Sequence, residues 1–202
     1  MTFRVRRNDI EEVILSGAAA AFRDYEELSG GHWLDMAPES FIQSRIAQEF
    51  RALQGDGNRL YVTLEASPKK IEADCGRRPD RRRVKMRENQ RLDILVWHKN
   101  GARPRAAIEI KKSAELTLSL RSDAKRLRQW CRGNNPLMDS GYLVVYTSAK
   151  CGDVRPTINK RFNRIADATD ADYWRSIGPS EPTDEGWAWD VAFFAYRAMA
   201  PA

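Results

Sequence analysis

The sequence predicts an α/β domain, and three observations carry the prediction. Apolar residues recur at helical spacing near the N-terminus, between 38 and 57, and again between 120 and 133. Short runs rich in Val, Ile, Leu and Tyr lie between these segments. One continuous apolar run, GYLVVYTSA at 141 to 149, has the composition of a strand buried on both faces of a parallel or mixed sheet. The order is helix, helix, three strands, helix, strand, helix, which is an α/β pattern. A chain of 202 residues with 42% hydrophobic side chains is long enough for one substantial core, so a single domain spanning 1 to 202 is expected.

The first helix is predicted over residues 8 to 22. Asn8 or Asp9 serves as its cap, and Asp9, Glu11 and Glu12 lie in its first turn. Those acids separate Arg4, Arg6 and Arg7 from the apolar run VILSGAAAAF, which argues against a signal peptide. No run approaches the roughly 18 apolar residues that a membrane span needs. A second helix is read from APESFIQSRIAQEFRALQGDG, with Pro38 in its first turn and Gly55 or Gly57 near its end. Ile42, Ile46 and Leu53 share one face, flanked by Phe50. Glu49 falls on that stripe and Glu39 within about sixty degrees of it, so one or both acids face the interior or a cleft. Glu39 is also explained as a first-turn acid complementing the helix dipole.

RLYVTLEAS at 59 to 67 is a strand, and a long basic excursion or ragged hairpin follows it. RLDILV and AAIEIKKS supply two further strands, joined by HKNGARPR centred near Gly101. The segment LRSDAKRLRQWCRG returns to helical spacing. Leu120, Ala124, Leu127 and Cys131 form one stripe, with Arg121, Lys125, Arg128 and Arg132 beside it. A helix is expected over PTINKRFNRIADATDADYWRSIG, and GWAWDVAFFAYRAM closes the core as a helix or strand.

Charge bounds the choice of partner. Thirty-four Lys and Arg against 28 Asp and Glu give net charge +6 and a pI near 9.4, which suits a polyanion. Residues 75 to 91 concentrate that charge. Arg77, Arg78, Arg81, Arg82, Arg83, Lys85, Arg87 and Arg91 stand against two acids. The alternative for such a run is a solvated loop. Cys75, Cys131 and Cys151 are odd in number and widely spaced, and His32 and His98 are the only histidines, which speaks against a zinc site or a disulfide framework and for a reducing, cytoplasmic setting.

The chemistry is concentrated in residues 91 to 113. A hairpin in which paired residue numbers sum to roughly 202 places Asp93 opposite Glu109 or one residue from it. Two carboxylates facing each other are destabilising unless a cation lies between them. A hard divalent ion such as Mg²⁺ fits, since it takes oxygen from one or two carboxylates, backbone carbonyl and water. Alternation puts Lys111 on the face of Glu109, while Ile108 and Ile110 point into the core. A lysine there can hold a metal-bound water. The competing reading makes Asp93 and Glu109 salt-bridge partners of Lys111, Lys112 or nearby arginines.

Asp93 followed, after fifteen residues, by Glu109-Ile110-Lys111 resembles the PD-(D/E)xK nuclease superfamily over residues 38 to 148, with LD where some members have PD. The resemblance implies a restriction-endonuclease-like mixed central sheet flanked by helices, with helical additions at both ends. It implies Mg²⁺, with Mn²⁺ substituting, held by Asp93, Glu109 and the carbonyl of Ile110, and Lys111 on the nucleophilic water. A helical acid completes the site. Glu39 is preferred for its spacing to Gln43 and the apolar stripe, with Glu49 the alternative. The implied activity is metal-dependent hydrolysis of DNA, plausible in bacterial anti-phage defence. Arg81, Arg82, Arg83, Arg121, Lys125 and Arg128 would meet phosphates. A partner subunit would supply specificity, or the chain would pair with itself. The other readings are a nuclease-fold binding or assembly subunit without chemistry, and a nuclease acting on RNA.

Overall fold

In the computed structural model, which describes residues 5–54, 60–76, 91–98, 104–112, 118–132, 136–150 and 154–198, six strands form one mixed sheet and five α-helices accompany it. Helix α1 (Arg7–Ser29) outruns its predicted span. Its cap position is Arg6 rather than Asn8 or Asp9, because Asp9 reaches back to accept the Arg6 N–H at 2.6 Å. The helix continues to Gly30, whose φ of +74° suits the left-handed cap that glycine adopts without cost. Helix α2 (Glu39–Glu49) is shorter than expected and gives way to a 3-10 turn at Phe50–Leu53. Pro38 caps it from outside. Ile42, Ile46 and Phe50 are buried as their spacing predicts, whereas Leu53 is only partly so.

Strand β1 (Leu60–Ala66) precedes a short helix, α3 (Pro68–Asp74), that the basic composition of the region obscures. Its start is conventional all the same: Ser67 accepts the Lys70 N–H, and Pro68 opens the first turn. The remaining elements are β2 (Leu92–His98), β3 (Pro104–Lys111), α4 (Leu118–Cys131), β4 (Ser140–Lys150), α5 (Val154–Thr169), β5 (Tyr173–Ser176) and β6 (Trp187–Arg197). The helix expected over 156 to 178 therefore stops at Thr169. Asp170 takes a φ of +53°, and Tyr173 to Ser176 become a strand paired with β6. A turn in left-handed backbone ends helical spacing without any Gly or Pro to announce it. The aromatic tail resolves as strand.

The strand order is β1-β2-β3-β4-β6-β5. β1, β2 and β3 are antiparallel neighbours, and β3 runs parallel to β4 through the α4 crossover. β6 is antiparallel to both β4 and β5. One face of the sheet meets α1 and α2, where Ile14, Ile42, Ile46 and Phe50 pack on Ile94, Ile108, Ile110 and Val144. Gly17 brings these helices together, since a Cβ there would lie 2.8 Å from the Ile46 Cα. The other face meets α4 and α5 through Leu120, Leu127, Ile158 and Phe162. Truncating a side chain such as Ile108 to alanine costs about 2–5 kcal/mol in packing of this kind. Among the described residues no helix is long and apolar enough to cross a membrane.

Candidate functional site

The β2–β3 register is what the sequence suggests. Ile94 pairs with Ile108, Leu95 with Ala107 and Val96 with Ala106, each pair summing to 202. Carried one residue further, the register sets Asp93 across from Glu109. The Asp93 carboxylate is tied down in that position, its Oδ2 accepting the Ile110 N–H at 2.7 Å. Ile108 and Ile110 enter the core under α1 and α2, as alternation requires.

Both acids are uncomfortable as anions. Burial pushes the Asp93 carboxyl up to about 6, and the charges of Glu39 and Glu65 add to the shift, against the opposing pull of the Ile110 N–H and Lys111. Glu109 is only 2% exposed and is held well above the ordinary carboxylate range, first by burial and then by the charge of Asp93. Burial works against a charged Lys111, but Asp123, Glu109 and Asp93 more than offset it, and its pKa ends above the usual lysine value. Lys111 is therefore held as a cation by its acidic neighbours.

Of the two candidate helical acids, Glu39 is the one coupled to Asp93. It is the exposed first residue of α2, and its charge is felt at Asp93. Glu49 is engaged elsewhere, 2.7 Å from Arg45 Nη1, and Arg45 in turn pairs with Asp24 on α1. Lys112 donates to the carbonyl of Ala37 at 2.7 Å, which ties β3 to the start of α2.

Helix α4 adds two residues that the sequence reading passed over. Lys111 Nζ lies 2.9 Å from Asp123 Oδ2, Asp123 Oδ1 lies 3.0 Å from Arg126 Nη2, and that same Nη2 contacts Glu109 Oε1. Glu109, Arg126, Asp123 and Lys111 thus form one chain of alternating charge beneath α4. A signal for Asp123 exists. At 100° per residue it lies about seventy degrees from the centre of the apolar stripe, the margin of a buried face. Arg126 lies further round and reaches the interior by its length.

Two more residues close the site from the β1 side. Gln43 Nε2 donates to Glu65 Oε1 at 3.0 Å and also to the Asp93 carbonyl. Glu65 has a φ of +53°, and it is missing from a β1–β2 ladder that is otherwise in register on either side of it. Gln43 sits one helical turn from Glu39, but nothing in the sequence announces the backbone of Glu65.

The basic residues are distributed less favourably than expected. Arg81, Arg82 and Arg83 lie outside the described residues. Arg121 and Lys125 are exposed on α4. Arg128 pairs with Asp170 at 2.8 Å, and Arg132 pairs with Asp170 and Asp172. By helical geometry this basic flank projects roughly 160° away from the flank carrying Asp123 and Arg126. The structure does not bring Arg128 to the carboxylates.

Among the described residues no three His, Cys, Asp or Glu side chains converge as a metal cage. The donor set is instead two carboxylates and backbone carbonyl, all hard oxygen ligands suited to a cation that keeps much of its water, with Lys111 beside them as a cation and not a ligand. Glu109 feels the charge of Asp93, and Asp93 also feels Glu39 and Glu65, against the cations Lys111 and Arg126; a divalent ion bound between the two acids would favour their charged forms. No protein-family model, curated protein or solved structure matches this chain.

Proposed function

We propose that this protein is a metal-dependent nuclease of the PD-(D/E)xK type, with a restriction-endonuclease-like core, that hydrolyses DNA phosphodiester bonds with Mg²⁺ or Mn²⁺. The observation that carries the reading is the closeness of Asp93 to Glu109 at the end of the β2–β3 register, one residue beyond the Ile94–Ile108 pair, with Lys111 two residues on, and the succession of α2, β1, α3, β2, β3, α4 and a β4 parallel to β3. Asp93 and Glu109 would hold the ion, with the Ile110 carbonyl as a third oxygen. Bound there, the ion supplies a Lewis acid for a phosphoryl oxygen and a water of lowered pKa. Lys111, fixed as a cation by Asp123, donates to that water or to a phosphate oxygen and steadies the developing charge. A water oxygen would bond to phosphorus as the ester bond to the departing oxygen breaks, the water giving up a proton to solvent and the departing oxygen taking one up. Glu39 and Gln43 shape the site from α2, the former by its charge and the latter by holding the Asp93 backbone. Arg121 and Lys125, exposed on the far flank of α4, would meet DNA phosphates at a distance from the carboxylates.

A second reading has one observation in its favour. Arg126 is ion-paired to Glu109, so the site resembles a salt-bridged core, as a nuclease-fold binding or assembly subunit without chemistry would have. Incubation with plasmid, linear DNA and RNA in Mg²⁺, Mn²⁺ or Ca²⁺, with Lys111→Ala alongside, separates the readings. Expected are cleavage of DNA in Mg²⁺ and Mn²⁺, little in Ca²⁺, and loss in the variant. Binding without product in any metal sinks the nuclease reading, and a preference for RNA corrects the substrate.

A further inference from the structure

The ion-pair chain under α4 has an unusual feature at its centre. Arginine commonly meets carboxylates bidentately through its fork. Arg126 makes both of its ion pairs, to Glu109 and to Asp123, through the single nitrogen Nη2. Its Nε is buried and has no hydrogen-bond partner among the described residues. Arg126, Asp123 and Glu109 are all buried, so each orientation here is set by the others. Asp123 divides its oxygens, Oδ1 to Arg126 and Oδ2 to Lys111. The contact with Glu109 is made at Oε1, and an ion pair at one oxygen does not consume the other.

We infer that Asp123 and Arg126 are positioning residues for the reaction: Arg126 fixes the Glu109 carboxylate for metal, and Asp123 fixes the Lys111 ammonium for the attacking water. The inference rests on the nuclease reading and divides the labour between two α4 residues three apart. Groups that orient ligating carboxylates are worth about 10- to 100-fold in metal affinity or activity. Because Nη2 does all the work, a lysine at 126 can reproduce it, which is not so where an arginine fork is used. The two residues also act on different quantities. Arg126 acts on how well metal is held, whereas Asp123 acts on a lysine that does not bind the metal.

The test measures Mn²⁺ binding by calorimetry and single-turnover plasmid cleavage for the full chain and for Arg126→Gln, Arg126→Lys and Asp123→Asn, each checked for folding by thermal melt. Arg126→Gln is expected to weaken Mn²⁺ about 10- to 100-fold, with Arg126→Lys restoring most of the loss. Asp123→Asn is expected to hold Mn²⁺ within about threefold of wild type while cleavage at saturating metal falls about 10- to 100-fold. If Arg126→Gln does not fold, Arg126→Lys and Asp123→Asn carry the test by the same split. Wild-type metal affinity in Arg126→Gln, failure of rescue by lysine, or undiminished cleavage by Asp123→Asn overturns the inference while the nuclease reading stands. A wild-type chain that neither binds Mn²⁺ nor cleaves sinks the nuclease reading and this inference with it.

Discussion

Two glutamates are buried almost equally in this molecule, and they have opposite company. Glu11 on α1 is 4% exposed, and its Oε1 accepts hydrogen bonds from the hydroxyls of Tyr142, at 3.2 Å, and Tyr173. Glu109 on β3 is 2% exposed and lies beside Asp93, with Arg126, Asp123 and Lys111 crowded around it. Phenol hydroxyls, with the charge of Arg197 nearby, satisfy the Glu11 carboxylate. A second carboxylate beside Glu109 raises the cost of charging both, a cost that a proton or a bound cation relieves. Burial of an acid therefore does not identify a functional site; an unbalanced set of neighbours does.

The sharpest way to break this contrast is to neutralise each glutamate in turn. Glu109→Gln and Asp93→Asn are each expected to reduce plasmid cleavage by about 10³-fold or more, the scale of losing a preorganised electrostatic contact at a reaction centre. Glu11→Leu is expected to leave cleavage per folded molecule unchanged while strapping two phenols without an acceptor, at a cost of about 1–3 kcal/mol in urea denaturation. Reversed outcomes would exchange the roles assigned to the two acids.

The pH dependence of stability sharpens the contrast further. Asp93 has a folded-state pKa near 6, raised from 3.8, so the folded chain holds its proton more tightly than the unfolded chain does. Its contribution to stability is complete below about pH 4 and is lost as the pH rises through 6. In metal-free buffer Asp93→Asn should accordingly be more stable than wild type at pH 7.5, by roughly 1–3 kcal/mol at about 1.4 kcal/mol per pKa unit, and the gain should vanish near pH 4. Mn²⁺ should erase it by stabilising wild type alone. A variant that melts below wild type at pH 7.5 without metal would show that Asp93 is not strained as an anion.

The smallest effect concerns which residues meet the polyanion. Arg121→Ala with Lys125→Ala should flatten the slope of log affinity against log salt by up to about 1.8, at about 0.9 per duplex phosphate contact. Arg128→Ala should change it less, because Asp170 already occupies that side chain. An unchanged slope in the double variant moves the DNA path away from α4.

Much of this arrangement is legible in the sequence, and the parts that are not have physical reasons. The central strands and their pairing follow from period-two alternation and a short connection, so Asp93, Glu109 and Lys111 could be placed before any coordinates. The choice between Glu39 and Glu49 needed the structure, because both lie near one helical stripe and only a partner such as Arg45 separates them. Asp123 and Arg126 look like an ordinary surface pair three residues apart. They are buried because α4 lies over the charged side of β3, a tertiary fact whose local sign is only that Asp123 borders the apolar stripe of the helix. The strand at Tyr173–Ser176 follows a helix end marked by nothing but the backbone of Asp170.

The left-handed backbone of Glu65 has a consequence for how the molecule meets its own copies. β1 is an edge strand, and an open edge is a template on which a foreign strand can pair. A residue at φ +53° breaks the straight row of donors and acceptors after Leu64, so among the described residues β1 offers an intruder the short run from Leu60 to Leu64. The opposite edge, β5, is only four residues long. The turn that draws an acid toward Gln43 also blunts the sheet against aggregation.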